Sequence, residues 1–548
     1  MNAAELFVRC LEEEGVTRIF GVPGEENACF MMALDASDIE FVLTRHEQGA
    51  AFMAEVKGRL TGEAGVCLGT LGPGAANLVT GVADANMDRA PVVAITGQAE
   101  SGRRHKESHQ AMDVVGMFQP ITKWATPVRN PDDVPEVVHK AFKLAVEEKP
   151  GAIHIELGED VASGTATTIP FKQKRTHAGV PAGEMVSLAL EKIRASKRPL
   201  VLAGNGVIRE AASPALRRFV ELTGIPVINT FMAKGVVDRH SPLSLFTIGL
   251  QARDLVACAI DDSDLVISIG YDMVEYDPRF WNPDGSKEIL HIDSVPAEVD
   301  SFYRAEIEVV GDLKHALDML TSDFERTRYR ADGAIFDPVR QAMLQDFAEY
   351  ADDDTEGAIR PQKVLWDVRE VMGPADILLS DVGAHKMWIA RYYQCDEPNT
   401  CLIPNGFASM GFALPGAISA SLIHPDRKVL GIAGDGGFLM NVQEMETAKR
   451  LNSNIVMLIW EDQEYGLIAW KQNTQYGRHT DLSFGNPDFG QLAQAFGWGY
   501  TRVDRSRDLR SALEGAFRED GPSLVVLPID YRENSLLTER LGEIACPL

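Results

Sequence analysis

The chain has 548 residues, more than one hydrophobic core supports, so two to four domains are expected. Its hydrophobic fraction of 45% and charged fraction of 24% are those of an ordinary water-soluble globular protein. A formal net charge of -27 argues against nucleic acid and anionic membrane surfaces, both of which want clustered Lys and Arg.

The N-terminal stretch Ala3–Leu11 reads as an amphipathic helix rather than a signal peptide, and no apolar stretch reaches the length of a membrane span. Cys10, Cys29, Cys67, Cys258, Cys395, Cys401 and Cys546 are sparse, odd in number and never spaced Cys-x-x-Cys. That pattern predicts reduced thiols in a cytoplasmic protein, with no disulfide framework and no zinc site. The first third then alternates helices with short apolar strands: Arg18–Phe20 before the turn Gly21–Asn27, Glu40–Leu43 before Arg45–Phe52, Gly65–Leu68 before Thr70–Asn77, Pro91–Thr96 before Gly97 and Gln98, and Ile153–Leu157 as the last strand. Strand, loop and helix in repetition mean a parallel sheet covered on both faces. After a polar connection from Thr165 to about Ala182 the pattern repeats with strands at Pro199–Ala203, Pro226–Asn229, Leu265–Gly270 and Ile289–Asp293. Ala351–Gly357, rich in Asp, is the clearest linker. A helix near Pro361 follows, then strands at Ile377–Asp381, Val429–Gly434, Ile455–Ile459 and Ser523–Pro528. The expected architecture is α/β, three doubly wound parallel-sheet domains in series at 1–165, 183–325 and 358–548.

Chemistry concentrates in the third domain. Gly434-Asp435-Gly436-Gly437 closes one apolar run, and Asp462 closes the next, one strand–helix–strand unit later. Either aspartate alone reads as a solvated strand-end carboxylate. Together they deliver two hard oxygen ligands to one sheet edge, beside glycine backbone free to face an anion at a helix N-terminus. That combination describes a Mg²⁺–diphosphate clamp.

The Gly-Asp-Gly start and the carboxylate one unit on resemble the thiamine-diphosphate binding motif, whose usual ending is a pair of asparagines; here it reads Glu461-Asp462-Gln463-Glu464. The resemblance implies that Asp435, Asp462 and the backbone carbonyl of Glu464 ligate Mg²⁺. It also implies an activating glutamate facing the aminopyrimidine ring, and Glu47 in Arg45–Phe52 stands where the family carries it. Pro23 and Gly24, and Gly72 and Asn77 in Thr70–Asn77, belong to the same pyrimidine-binding domain. In Asp381–His385, Gly383 and His385 carry over to the diphosphate cradle, whereas the family's glutamine is Ala384 here. In Asn405–Gly411, Met410 corresponds to the bulky residue beneath the bent cofactor and Ala408 to the residue offering its carbonyl. Gly434, Asp435, Gly436, Gly437, Tyr465, Gly466 and Leu467 complete the expected cofactor-binding set.

His109 and Gln110 within Lys106–Asp113 narrow the resemblance to the acetolactate synthases, whose substrate pocket takes a glutamine from this position. Trp470 falls in register with their acceptor-site tryptophan. Anabolic members bind FAD after the strand that matches Leu265–Gly270; this chain instead reads Gly270-Tyr-Asp-Met-Val-Glu-Tyr-Asp-Pro278, which resembles the FAD-independent, catabolic type. The resemblance thus implies thiamine diphosphate and Mg²⁺ without FAD. It implies pyruvate as the 2-oxo acid, decarboxylated and joined to a second one to give 2-acetolactate, in a homodimer or homotetramer with active sites between subunits. The preferred acceptor, pyruvate or 2-oxobutyrate, and any regulatory subunit stay open. The rival readings are another thiamine-diphosphate 2-oxo-acid decarboxylase or acetyltransferase, or a non-catalytic scaffold of the same fold.

Overall fold

The structure is a computed structural model, and it describes residues 1–172, 179–249, 255–537 and 546. Part of the expected connection after Thr165, residues 173–178, lies outside the described residues. Three six-stranded sheets follow one another along the chain, every strand pairing parallel to its neighbours. The first holds β1 (Arg18–Gly21), β2 (Glu40–Leu43), β3 (Gly65–Gly69), β4 (Val92–Gln98), β5 (Trp124–Val128) and β6 (Ala152–Gly158), ordered β2-β1-β3-β4-β6-β5. The second holds β7 (Pro199–Ala203), β8 (Val227–Asn229), β9 (Ser244–Thr247), β10 (Leu265–Ile269), β11 (Ile289–Asp293) and β12 (Ala305–Val310), ordered β12-β11-β10-β7-β8-β9. The third holds β13 (Ile377–Ser380), β14 (Cys401–Leu402), β15 (Val429–Gly434), β16 (Ile455–Glu461), β17 (Gly499–Arg502) and β18 (Ser523–Pro528), ordered β14-β13-β15-β16-β18-β17. Counted within each domain, the first and third sheets share one topology. The second has the dinucleotide-fold order instead.

The central strands are buried along all or nearly all of their length, as uninterrupted apolar runs between two helical layers must be. Helix Glu47–Thr61 of the first domain packs on helix Ala413–Ile423 of the third, and their side chains form one continuous core. The rings of Phe52 and Phe412 meet edge to face there at 5.6 Å. Gly81 allows helix Pro73–Met87 to approach on the other side, where an added Cβ would lie 2.5 Å from that of Ala51. Among the described residues no helix is long and apolar enough to cross a membrane.

Two expectations are corrected. The strands β5, β9, β12, β14 and β17 were not foreseen, and each lies at a sheet edge. Cysteine spacing pointed to reduced thiols throughout, yet Cys258, on helix Leu255–Asp262, forms a disulfide with Cys546. The pair is separated by 288 residues, so only the fold brings it together. Cys10, Cys29, Cys67, Cys395 and Cys401 are free.

Candidate active site

β15 and β16 are neighbours in register, Gly434 opposite Trp460, so Asp435 and Asp462 leave the sheet at the same edge. Asp435 opens helix Asp435–Met440 and is 1% exposed. Its Oδ2 accepts the N–H groups of Gln463 (2.7 Å) and Asp462 (3.2 Å) and the side-chain amide of Asn486 (2.7 Å). Asp462 accepts the N–H of Glu464 at 3.4 Å, and burial plus the Asp435 carboxylate push its pKa up to about 8. Two carboxylates so placed could hold a divalent cation, and hard oxygen donors of this kind suit Mg²⁺. Gly466 is needed here, because a Cβ would come within 2.6 Å of Asp462 Oδ2.

Beside them lies a cavity of about 100 Å³. Gly383, His385, Met410, Gly434, Asp435, Gly436, Gly437, Asp462, Glu464, Tyr465, Gly466 and Leu467 all line it, joined by Tyr531. Trp470 stands in an adjoining cavity of about 500 Å³ that shares Asp462, Glu464 and Gly466 with the first. His385 is fully desolvated, which lowers its pKa to about 4, and its Nε2 is buried without a partner. An orphaned ring nitrogen beside glycines and the start of a helix fits a cradle for an anionic group. Ala408 takes a left-handed φ of +58°, an uncommon conformation for a side-chain-bearing residue, two residues before the cavity-lining Met410.

Asp381 and Asn486 brace this site, although the sequence showed no role for either. Asp381 accepts the N–H groups of Val382 (2.7 Å), Gly411 (2.9 Å) and Ala413 (3.1 Å), tying the end of β13 to the loop that carries Met410. Its full burial still drives its pKa up to about 6.

The first-domain residues form a separate group. Glu47 is the first residue of its helix, 7% exposed, and its Oε2 accepts the Asn77 side-chain amide at 2.9 Å. Gly74 faces Glu47 Oε1, where a Cβ would stand 3.2 Å away. Gly72, at φ +53°, lies so close to Gln110 that a Cβ would be 2.9 Å from that carbonyl. Gly24 abuts Thr70 on the neighbouring turn and donates its N–H to Asn27 (2.8 Å), and Pro23 is exposed beside it. None of these residues lines the Asp435–Asp462 cavity.

In the middle domain, the turn after β7 is occupied by the chain itself. The Glu275 carboxylate accepts the N–H groups of Asn205 (3.0 Å) and Asp272 (3.1 Å) together with the Thr230 hydroxyl. The N–H of Gly206 is bonded to the Gly270 carbonyl at 2.8 Å.

Residues 1–117 match the thiamine pyrophosphate enzyme N-terminal TPP binding domain, 186–320 the central domain and 381–527 the C-terminal TPP binding domain. The chain therefore belongs to the thiamine pyrophosphate enzymes. Within them it belongs with the acetolactate synthases. It is 36% identical to the acetolactate synthase of Bacillus subtilis over 98% of this chain and 95% of that protein. It is 37% identical to the catabolic acetolactate synthase of Raoultella terrigena over 98% and 97%. The probable acetolactate synthase large subunit of Methanocaldococcus jannaschii is 36% identical over 97% and 93%.

Proposed function

We propose that the protein is an acetolactate synthase that uses thiamine diphosphate and Mg²⁺, decarboxylates pyruvate and joins the two-carbon unit to a second 2-oxo acid. The observation that carries this reading is the paired Asp435 and Asp462 at the cavity edge, in a chain similar to acetolactate synthases over almost its whole length. Bound thiamine diphosphate would supply a carbon nucleophile and an electron sink for decarboxylation. Asp435, Asp462 and the Glu464 carbonyl hold the metal. His385, Gly383, Gly436 and Gly437 face the diphosphate, while Met410, Ala408, Gly434, Tyr465, Gly466 and Leu467 shape the ring side. In the first domain, Pro23, Gly24, Gly72 and Asn77 frame the aminopyrimidine, and Glu47 holds the proton exchanged with its ring nitrogen. Gln110 donates to the substrate oxygen, and Trp470 bounds the acceptor. The test is a pyruvate reaction with both cofactors, acidified so that acetolactate is read as acetoin. Acetaldehyde or acetyl phosphate in its place would overturn the assignment, and added 2-oxobutyrate shows which acceptor is preferred.

Because Glu47 and the residues around it do not line the Asp435–Asp462 cavity, we place Glu47 of one subunit opposite Asp435 of another, in a homodimer or homotetramer. Sedimentation is expected to give two or four times the 60.0 kDa chain mass. Specific activity is expected to fall on dilution below the dissociation concentration and to return on reconcentration. A fully active monomer would refute the arrangement.

The enzyme is further proposed to work without FAD. In a dinucleotide fold the N–H groups after the first strand serve the ligand's phosphates; here Glu275 takes the Asn205 N–H and Gly270 the Gly206 N–H. Purified protein is expected to show no flavin absorbance and to gain no activity from added FAD. Stoichiometric flavin retained through purification would contradict this.

A further inference from the structure

Beyond the residues that face the cofactor, the first and third domains of the same chain grip each other through buried carboxylates. Glu444 is 0% exposed and opens helix Glu444–Arg450 of the third domain. Its Oε1 accepts the N–H groups of Arg45 (3.1 Å) and His46 (3.0 Å), and its Oε2 accepts the Thr447 hydroxyl (2.6 Å). Arg45 and His46 are the two residues immediately before Glu47. Gly49, in the first turn of the Glu47 helix, leaves room for this carboxylate: a Cβ there would come 2.8 Å from Glu444 Oε1.

The first domain reciprocates. Asp88 and Asp84, both 0% exposed, stand at the C-terminal end of the helix whose start carries Asn77. Asp88 accepts the N–H groups of Gly406 (2.6 Å) and Asn405 (3.0 Å) and the Arg59 guanidinium (3.3 Å). Asp84 accepts the N–H of Ser409 (3.0 Å). Three backbone donors within residues 405–409 are thus fixed on either side of the left-handed Ala408, two residues before Met410. A Cβ on Gly406 would stand 2.8 Å from the Met87 carbonyl oxygen, so the loop sits directly on the end of that helix. Bonds from N–H to a carboxylate are roughly twice as strong as neutral ones. General adhesion between domains could use any facing surfaces, whereas these bonds land on the backbone that presents the groups facing the cofactor.

We propose that Glu444 is a positioning residue for Glu47, and that Asp84 and Asp88 are positioning residues for the loop of Ala408 and Met410. This rests on the cofactor site proposed above. If that site lies between subunits, Glu47 and Met410 of one chain serve different sites, and the two clasps join those sites through a single chain.

Four variants test it: Glu444→Gln and Asp88→Asn remove the negative charge and one of the two acceptor oxygens, while Gly49→Ala and Gly406→Ala wedge the same clasps open from the other side. The readouts are kcat and KM for pyruvate, exchange of the C2 proton of bound thiamine diphosphate with solvent deuterium, and the affinities for thiamine diphosphate and for inorganic pyrophosphate with Mg²⁺. Glu444→Gln and Gly49→Ala are expected to slow kcat and C2 exchange by about 100-fold, the cost of a misplacement near 1 Å. Pyruvate KM should stay within about threefold and pyrophosphate affinity should hold, because the metal side is untouched. Asp88→Asn and Gly406→Ala are expected to weaken thiamine diphosphate about 10-fold while leaving pyrophosphate affinity unchanged. Unchanged exchange and cofactor affinity in folded variants would overturn the proposal, as would an equal loss of pyrophosphate affinity. A wild-type enzyme that exchanges the C2 proton and forms no acetolactate would overturn the assigned reaction alone, and the clasps would still be read by exchange.

Discussion

Glu47→Gln is expected to lower kcat for acetolactate formation by about 100-fold or more, the usual range for loss of a positioned acid–base group. The substitution isolates proton chemistry. Glutamine keeps the length and volume of the side chain, and its Oε1 can still accept the Asn77 amide that now binds Glu47 Oε2 at 2.9 Å. What it loses is the ability to take and return a proton. Mg²⁺–pyrophosphate affinity should be unchanged, because Glu47 does not line the cavity that holds Asp435 and Asp462. Thermal unfolding should also be close to wild type, since one isosteric polar exchange leaves the surrounding core intact. Acetoin after acidification, read beside a melting curve, decides it. Undiminished turnover would remove Glu47 from the chemistry, and lost turnover with a collapsed melting temperature would show a structural role.

What was legible beforehand follows from which signals are local. Thirteen strands were found because each is an apolar run between turn residues, and β15 or β16 cannot be buried on both faces without such a run. The unforeseen strands are all edges. β17 alternates half-buried and exposed residues, and β14 has two residues, so neither carries a run to detect. The middle sheet's different strand order was also invisible, because periodicity reports strands and not their neighbours.

The site divides in the same way. Asp435 and Asp462 are 27 residues apart in one strand–helix–strand unit, close enough for spacing to carry meaning. Glu444 lies 399 residues from Arg45, and Glu275 lies 70 from Asn205. In the sequence both are acidic residues that could as well be solvated. Only the fold shows that they are desolvated and that their acceptors are spent on backbone of the same chain. Asn486 escaped notice for the same reason, being 51 residues from the carboxylate it braces.

Asp435→Ala is expected to weaken Mg²⁺-dependent cofactor binding by about 100-fold or more, because truncating one member of a buried charged set costs a few kcal/mol. The loss reaches beyond one ligand. Asp435 Oδ2 also receives the N–H groups of Asp462 and Gln463, so without it the turn that aims Asp462 loses two of its bonds. Asp462→Asn should behave differently, since the family usually carries asparagine there. In the metal-free protein the Asp462 pKa is raised from 3.8 to about 8, chiefly by burial and then by Asp435. The folded state therefore holds this proton more tightly than the unfolded chain does. Its contribution to stability is fully present below pH 3.8 and is lost as pH rises through about 8. The metal-free wild type should accordingly lose melting temperature between pH 5 and 8 more steeply than Asp462→Asn, which has no proton to lose there. Mg²⁺ needs the ionised carboxylate, so below pH 8 wild-type affinity should drop by about tenfold per unit from this group, and that of Asp462→Asn should not. The two affinities then converge as the solution is acidified. Parallel pH profiles would instead show that Asp462 does not ligate the metal and that Asp435 and the Glu464 carbonyl hold it without this carboxylate.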